Sequence, residues 1–290
     1  MRDGDTAPTS SYIVCATPRS GSTLLCEYLM LTGDAGHPSE WFLPQGAALA
    51  AEMFGVGSSF EDPTYFAELS TKSKTQNGMF GVKMMWPQME WLCKTILIER
   101  GSRLHDAGCF PNLKYIYITR DDEVEQAISL FMAVKTDVWQ RFAIPRDGAE
   151  PSRWATAALK LDRSANATPR ILTDDLHSQR WTLDQIKREL ADPLQRKALL
   201  DEIARWRAEI AMQTAKWRGF FAQQEVSPFR VRYEALAAAP QDVMSAVLDF
   251  LGIDGSKLRL SSSRLRRLGD ERNEALAAAY RATRTDLDKA

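Results

Sequence analysis

Ser11–Thr32, SYIVCATPRSGSTLLCEYLMLT, decides how the rest of the chain reads. Tyr12-Ile13-Val14-Cys15-Ala16 is an apolar run of strand length. Thr17 to Thr23 forms a polar turn, and Leu24, Leu25, Tyr28 and Leu29 recur beyond it at helical spacing. A buried strand passing through a Gly/Ser turn into a helix start makes a cradle for an anion. The first amides of a helix have no partners within it, and the helix dipole places partial positive charge there. Gly21 lets the main chain approach the anion, Ser20, Ser22 and Thr23 add hydroxyl donors, and Arg19 adds a cation. The plainer reading is an ordinary polar connection between strand and helix.

The nucleotide-triphosphatase loop has the form G-x-x-x-x-G-K-[ST]. Laid on Ala16–Thr23, Gly21 and Thr23 fit, while Ala16 replaces the first glycine and Ser22 the lysine. Without that lysine the β- and γ-phosphates lose their holder, which weighs against ATP or GTP hydrolysis. The loop Pro18-Arg19-Ser20-Gly21-Ser22-Thr23, followed by Leu24-Leu25, resembles instead the 5′-phosphosulfate loop of sulfotransferases that use 3′-phosphoadenosine-5′-phosphosulfate (PAPS).

Composition narrows the classes. The chain has 290 residues, long enough for one large α/β domain or two small ones. A net charge of −1 lacks the basic excess that general nucleic-acid or acidic-membrane binding needs. No apolar run approaches the roughly 20 residues of a membrane span, and residues 1–10 are polar and expected to be flexible, without a signal-peptide core. Cys15, Cys26, Cys93 and Cys109 show no CxxC spacing, and there are three histidines. That pattern suits free thiols in a reducing cytoplasm and no metal site.

Beyond the first helix, Gly33 and Gly36 break the pattern and His37-Pro38-Ser39-Glu40-Trp41-Phe42 follows as a loop. G-D-A-G-H-P-S-E-W-F, one helix after the anion loop, resembles the bacterial PAPS-dependent carbohydrate sulfotransferases of the trehalose 2-sulfotransferase type, whose relatives include lipopolysaccharide and nodulation-factor enzymes. In that family a Glu of this loop is the proposed base, which the resemblance places at Glu40, with His37 as its rival. Gly78–Trp86 reads as a strand ending in a bend at Pro87 and matches a G-x-K-x-x-W segment of the same family. Its cation, Lys83, is either a sulfonate-steadying group or a lysine snorkelling from an apolar run.

Leu113–Thr119 is rich in aromatic and β-branched residues and reads as a strand. It leads into Arg120-Asp121-Asp122 and an apolar helix face at Val124, Ala127, Ile128 and Phe131. Arg120 at the strand's carboxyl end, with Ser129 on the following helix, resembles the sulfotransferase 3′-phosphate site. The rival is a kinase-like site with Asp121 or Asp122 on magnesium. Residues 139–225 read as a charge-rich helical insertion, with Leu199, Ile203, Trp206, Ile210, Gln213, Trp217 and Phe220 forming one stripe. Phe229–Glu234 reads as a strand, followed by an Ala-rich turn and a helix over Val243–Leu251 stopped by Gly252. R-Y-E-A-L resembles a late sulfotransferase element and puts Tyr233 near the adenine. Arg267, in the basic stretch Arg259–Arg272, is a further 3′-phosphate candidate or a solvated basic face.

The five elements together imply one α/β domain over residues 1–290. Its architecture is a P-loop-type sandwich with a central, mostly parallel sheet flanked by helices, plus the helical insertion. The implied reaction moves a sulfuryl group from PAPS to a hydroxyl of a sugar, glycolipid headgroup or oligosaccharide, without metal. Arg19, Ser20, Gly21, Ser22 and Thr23 would hold the donor, and Glu40, Arg19 and Lys83 would carry the chemistry. Trp41 and Trp86 would offer faces to the sugar, or are core aromatics. Two alternatives stand beside this one, a P-loop phosphotransferase and a non-catalytic nucleotide-binding protein. Relatives that dimerise make a homodimer the expectation.

Overall fold

The computed structural model describes residues 6–100, 110–142, 157, 171–173, 181–255, 260 and 269–287. The chain divides into two compact units, residues 1–121 with 213–263, and residues 122–212 with 264–290.

The first unit is built on four strands: β1 (Ser10–Ala16), β2 (Met79–Met85), β3 (Lys114–Thr119) and β6 (Phe229–Arg232), in the order β2-β1-β3-β6. All three pairings are parallel. Both faces of such a sheet are covered, and β1 accordingly shows six consecutive buried residues rather than alternation. Tyr12, Val14, Ala16, Ile116 and Ile118 share a core with α1 (Ser22–Leu31) through Leu25 and Leu29. Val247, Leu248 and Leu251 of a late helix, Pro240–Leu251, complete that core. Elsewhere in the unit Tyr115 and Tyr117 meet an aromatic layer of Trp217, Phe220 and Phe221. The Trp217 indole N–H donates to the Ala16 carbonyl at 2.9 Å, so this layer also ties off the end of β1.

Several elements depart from the sequence-based expectation. Pro87 does not bend the chain out of β2. It falls in the first turn of α4 (Trp86–Arg100), where a missing N–H costs nothing. Residues 46–77 read from their composition as a helix over Ala47–Phe54 and then a Ser/Thr/Gly-rich loop; the helix is α2 (Pro44–Phe54), and the loop contains α3 (Tyr65–Ser73). The strand expected over Phe229–Glu234 stops at Arg232, and Tyr233 opens a short helix, Tyr233–Ala238. The helix expected before Gly252 is present, and Gly252 closes it in the left-handed region at φ 81°.

The second unit holds α5 (Glu123–Thr136), the strand pair β4 (Gln140–Phe142) and β5 (Ile171–Thr173), α6 (Leu183–Ala191) and the first part of α7 (Pro193–Gln223). The later helices follow as α8 (Tyr233–Ala238) and α9 (Pro240–Leu251) in the first unit and α10 (Glu271–Leu287) in the second. Ile128, Phe131, Ile186, Leu199, Ile203, Ile210 and Leu276 form the second unit's core. The three- and four-residue stripe along α7 is therefore a packing face, as its spacing implies. Its last third, with Trp217 and Phe220, belongs to the first unit.

One close approach positions the segment that follows α1. Tyr12 stands opposite Gly81 in the β1–β2 register, and a Cβ at Gly81 would meet the Tyr12 ring at 2.4 Å. The ring crosses β2 there, and its hydroxyl donates to the Ala35 carbonyl. Gly36, at φ 72°, rests on the backbone of Met79 and Gly81. A glycine inside a strand thus marks a crossing of chains. Gly81→Val should lower stability by about 1–3 kcal/mol, the usual cost of forced overpacking, read as a drop in the denaturant midpoint with the slope unchanged.

Candidate active site

The carboxyl ends of the four parallel strands of the first unit deliver the polar groups, as expected for an open α/β sheet. β1 leads into the loop Thr17–Gly21, β2 carries Lys83, Arg120 follows the last residue of β3, and Tyr233 follows the last residue of β6.

The loop is shaped to receive an anion. Gly21 is the N-cap of α1 at φ 88°, and no side chain caps that helix or places an acid in its first turn. By contrast α5 is capped by the Asp122 carboxylate and α6 by a Thr182–Gln185 capping box. Ser20 is fully buried, and its Oγ has no hydrogen-bond partner among the described residues. An unmet buried hydroxyl costs about 1–3 kcal/mol, which a ligand oxygen would return. Arg19 takes φ 63°, an uncommon conformation for a side-chain-bearing residue. Burial, and then the Arg120 guanidinium, lower the Arg19 pKa to about 10 against the opposing influence of Tyr233 and Glu40. At neutral pH Arg19 is still charged, so two guanidiniums are held in mutual repulsion that an anion would relieve.

Tyr233 links the loop to Arg120. A Cβ on Gly21 would lie 2.3 Å from the Tyr233 ring, so only glycine fits beneath it. The Arg120 guanidinium carbon stands 5.1 Å from the centroid of the same ring, within cation–π range.

Lys83 supplies the ammonium that the loop lacks. It is opposite Val14 in the register and therefore faces α1. Its Nζ donates to Thr23 Oγ1 at 3.1 Å and pairs with Glu40 Oε1 at 3.5 Å. The Lys83 side chain is 6% exposed and that of Glu40 29% exposed, so the carboxylate alone faces solvent. The Lys83 main-chain N–H donates to the Ser39 carbonyl at 3.0 Å, laying the Glu40 loop against β2. From the other side Gly46, in the first turns of α2, approaches so closely that a Cβ there would lie 1.8 Å from the Glu40 carbonyl oxygen.

The remaining candidates separate. His37 donates from Nδ1 to the Ser73 carbonyl at 2.8 Å, which anchors the loop to the end of α3. Trp41 is fully buried, its N–H donating to the His37 carbonyl, and has no face to offer a sugar. Trp86 packs edge-on against Trp217 and Phe220, a core role that leaves only part of its surface exposed. Burial pushes the Cys26 thiol up to about 12, so the cysteine near Lys83 is not a nucleophile. Ser129 lies on α5 of the second unit. Arg267 lies outside the described residues. Among the described residues no three His, Cys, Asp or Glu side chains converge as metal ligands, and no helix is long and apolar enough to cross a membrane.

A family model for Stf0 sulphotransferases matches residues 11–185 and 176–283, nearly the whole chain. The chain belongs to the Stf0 sulphotransferase family. Two curated relatives are the trehalose 2-sulfotransferases of Mycobacterium tuberculosis, 27% identical over 93% of this chain and 94% of its own length, and of Mycolicibacterium smegmatis, 28% identical over 94% of each. Among solved structures, a sulfotransferase from Alicyclobacillus acidocaldarius aligns over 96% of this chain and 92% of its own at 14% identity, with a TM-score of 0.44.

Gly46 was not among the residues singled out from the sequence. A glycine inside an alanine-rich helix costs about 1 kcal/mol relative to alanine, and that cost was the available signal. Gly46→Ala should push the Glu40 main chain aside and loosen the Glu40–Lys83 pair, and sulfuryl transfer should fall by roughly 10- to 100-fold, as it does when groups in a site are misplaced.

Proposed function

We propose that this Stf0 sulphotransferase moves a sulfuryl group from PAPS to a hydroxyl of a carbohydrate or glycolipid acceptor, with a trehalose-like sugar as the first class to try. The observation that carries the reading is the Thr23–Lys83–Glu40 chain, in which one buried ammonium touches both the anion loop and a partly exposed carboxylate.

The residues suit the donor. Arg19, the Ser20 hydroxyl and the uncapped amides from Gly21 to Thr23 would bind the 5′-phosphate. Arg120, beyond the Tyr233 ring, would bind the 3′-phosphate, and Tyr233 would lie against the nucleoside. PAPS, when bound, supplies a sulfur whose bond to the 5′-phosphate oxygen breaks as the acceptor oxygen bonds to it. Glu40 accepts the proton that the acceptor hydroxyl gives up. Lys83 holds Glu40 in place and lends positive charge beside Thr23, where negative charge develops. Positioning and charge stabilisation account for most of the rate in such transfers. No role is left for Trp41 on the acceptor, and the acceptor's contacts must come from other walls.

The deciding experiment is label transfer from sulfur-35 PAPS to a panel of sugars and glycolipids. Transfer that falls by at least about 100-fold in Glu40→Gln, in line with the loss of a general base, while 3′,5′-ADP binding persists, supports the reading. Nucleotide binding without transfer to any acceptor favours a binding protein instead. Tighter binding of ATP with magnesium than of 3′,5′-ADP favours a phosphotransferase. Arg120→Ala should weaken 3′,5′-ADP by roughly 10- to 100-fold, the worth of a charge-assisted contact, and AMP far less. Equal losses for both nucleotides would remove Arg120 from the 3′-phosphate.

A further inference from the structure

The late strand ends in Arg232-Tyr233-Glu234, and the assignment above uses only the tyrosine. Glu234 Oε1 accepts a hydrogen bond from the Asp121 main-chain N–H at 3.1 Å. That N–H belongs to the peptide unit that begins at the Arg120 carbonyl. Fixing its plane fixes the backbone direction in which Arg120 leaves β3. Asp121 is held a second time, through its carboxylate, by Arg232, whose Nε lies 2.9 Å away and whose Nη2 also donates to it. Arg232 is opposite Thr119 in the β3–β6 register, so the two contacts bridge the carboxyl ends of neighbouring strands.

The second carboxylate oxygen of Glu234 is buried and has no hydrogen-bond partner among the described residues. Arg232 gives its hydrogen bonds to Asp121, and Glu234 acts on it only through the weaker, longer-range attraction of its charge. The one hydrogen bond this carboxylate makes among the described residues is the bond to the turn after Arg120. A half-buried acid with one unmet oxygen costs stability, and a charged residue is not required merely to start a short helix. The arrangement makes sense if placing Arg120 matters more than the oxygen left unmet.

We infer that Glu234 is a positioning residue for the donor site. It holds the Arg120–Asp121 peptide so that the guanidinium stays over the Tyr233 ring, and so it sets the preference for a nucleotide bearing a 3′-phosphate. The inference rests on the assignment of Arg120 to that phosphate. It goes further in naming reach to a backbone amide, rather than charge, as what Glu234 contributes. Glutamine keeps an acceptor at the same reach, whereas aspartate keeps the charge but is one carbon shorter.

The test measures the affinities of 3′,5′-ADP and AMP calorimetrically for the full chain and for Glu234→Asp and Glu234→Gln, with thermal melts on each. The ratio of the two affinities is the readout, because a purely structural contribution would not move it. The unaltered protein should prefer 3′,5′-ADP. Glu234→Asp should reduce that preference by roughly five- to tenfold, the worth of one hydrogen bond, while Glu234→Gln keeps it within about twofold. An unchanged ratio in Glu234→Asp, or a loss in Glu234→Gln as large as in Glu234→Asp, overturns the inference and leaves the donor assignment standing. Failure of Glu234→Asp to fold beside an intact Glu234→Gln gives Glu234 a purely structural part and overturns it too. No preference for 3′,5′-ADP in the unaltered protein overturns both the inference and the donor assignment.

Discussion

A single buried ammonium holds the site together. Lys83 comes from an edge strand of the sheet, reaches the first turn of α1 at Thr23, and meets Glu40 from a loop already pinned by the Ser39 carbonyl and by His37 on Ser73. Its position follows from register. Because Val14 and Lys83 are opposite one another, their side chains share a face, and that face is the one α1 covers. A slip of one residue would turn the amine to the other side of the sheet. Burying an ammonium is costly unless it is paired and hydrogen-bonded. The loop hydroxyl and the carboxylate are therefore conditions for Lys83 to be there at all, and Lys83 in turn fixes how far apart they stand.

The anion loop and the Arg120 turn form a second, more strained half of the site. Two guanidiniums influence each other, Arg19 adopts an uncommon backbone conformation, and a buried serine hydroxyl goes unmet among the described residues. Each of these costs free energy in the unliganded protein. The well-packed sheet, with six consecutive buried residues in β1 and an aromatic layer tied to Ala16, supplies the stability to hold them. Strain gathered at one end of a sound core is what preorganisation for a charged ligand requires.

How much of this was legible in the sequence depended on whether a signal was local. The four strands, the glycine-initiated α1 and the Gly252 stop follow from short patterns whose physics lies within a few residues. The α7 stripe was legible for the same reason, since spacing alone defines a face. Family resemblance puts Glu40 and Lys83 in one site, but nothing within either segment says that they touch. Pro87 reads as a bend in the sequence because a proline that ends one element and a proline that starts a helix look alike without the preceding strand's length. The Tyr12–Gly81 crossing and the Glu234 bond join residues far apart in sequence, and a single chain without its fold gives no register from which to infer them; the Gly46 contact is local, but it depends on how the loop folds back on the start of α2. Trp41 shows the limit in the other direction: its place beside Glu40 fits a sugar platform and a core aromatic equally well in the sequence, and its full burial decides for the core.

The Ser39 contact carries a consequence beyond catalysis. β2 is an outer strand, and an outer strand with idle amides invites another chain to pair with it. Here part of that rim is already covered, by the Ser39 carbonyl on the Lys83 amide and by Gly36 resting on Met79 and Gly81. The segment that presents Glu40 thus also shields the sheet from self-association.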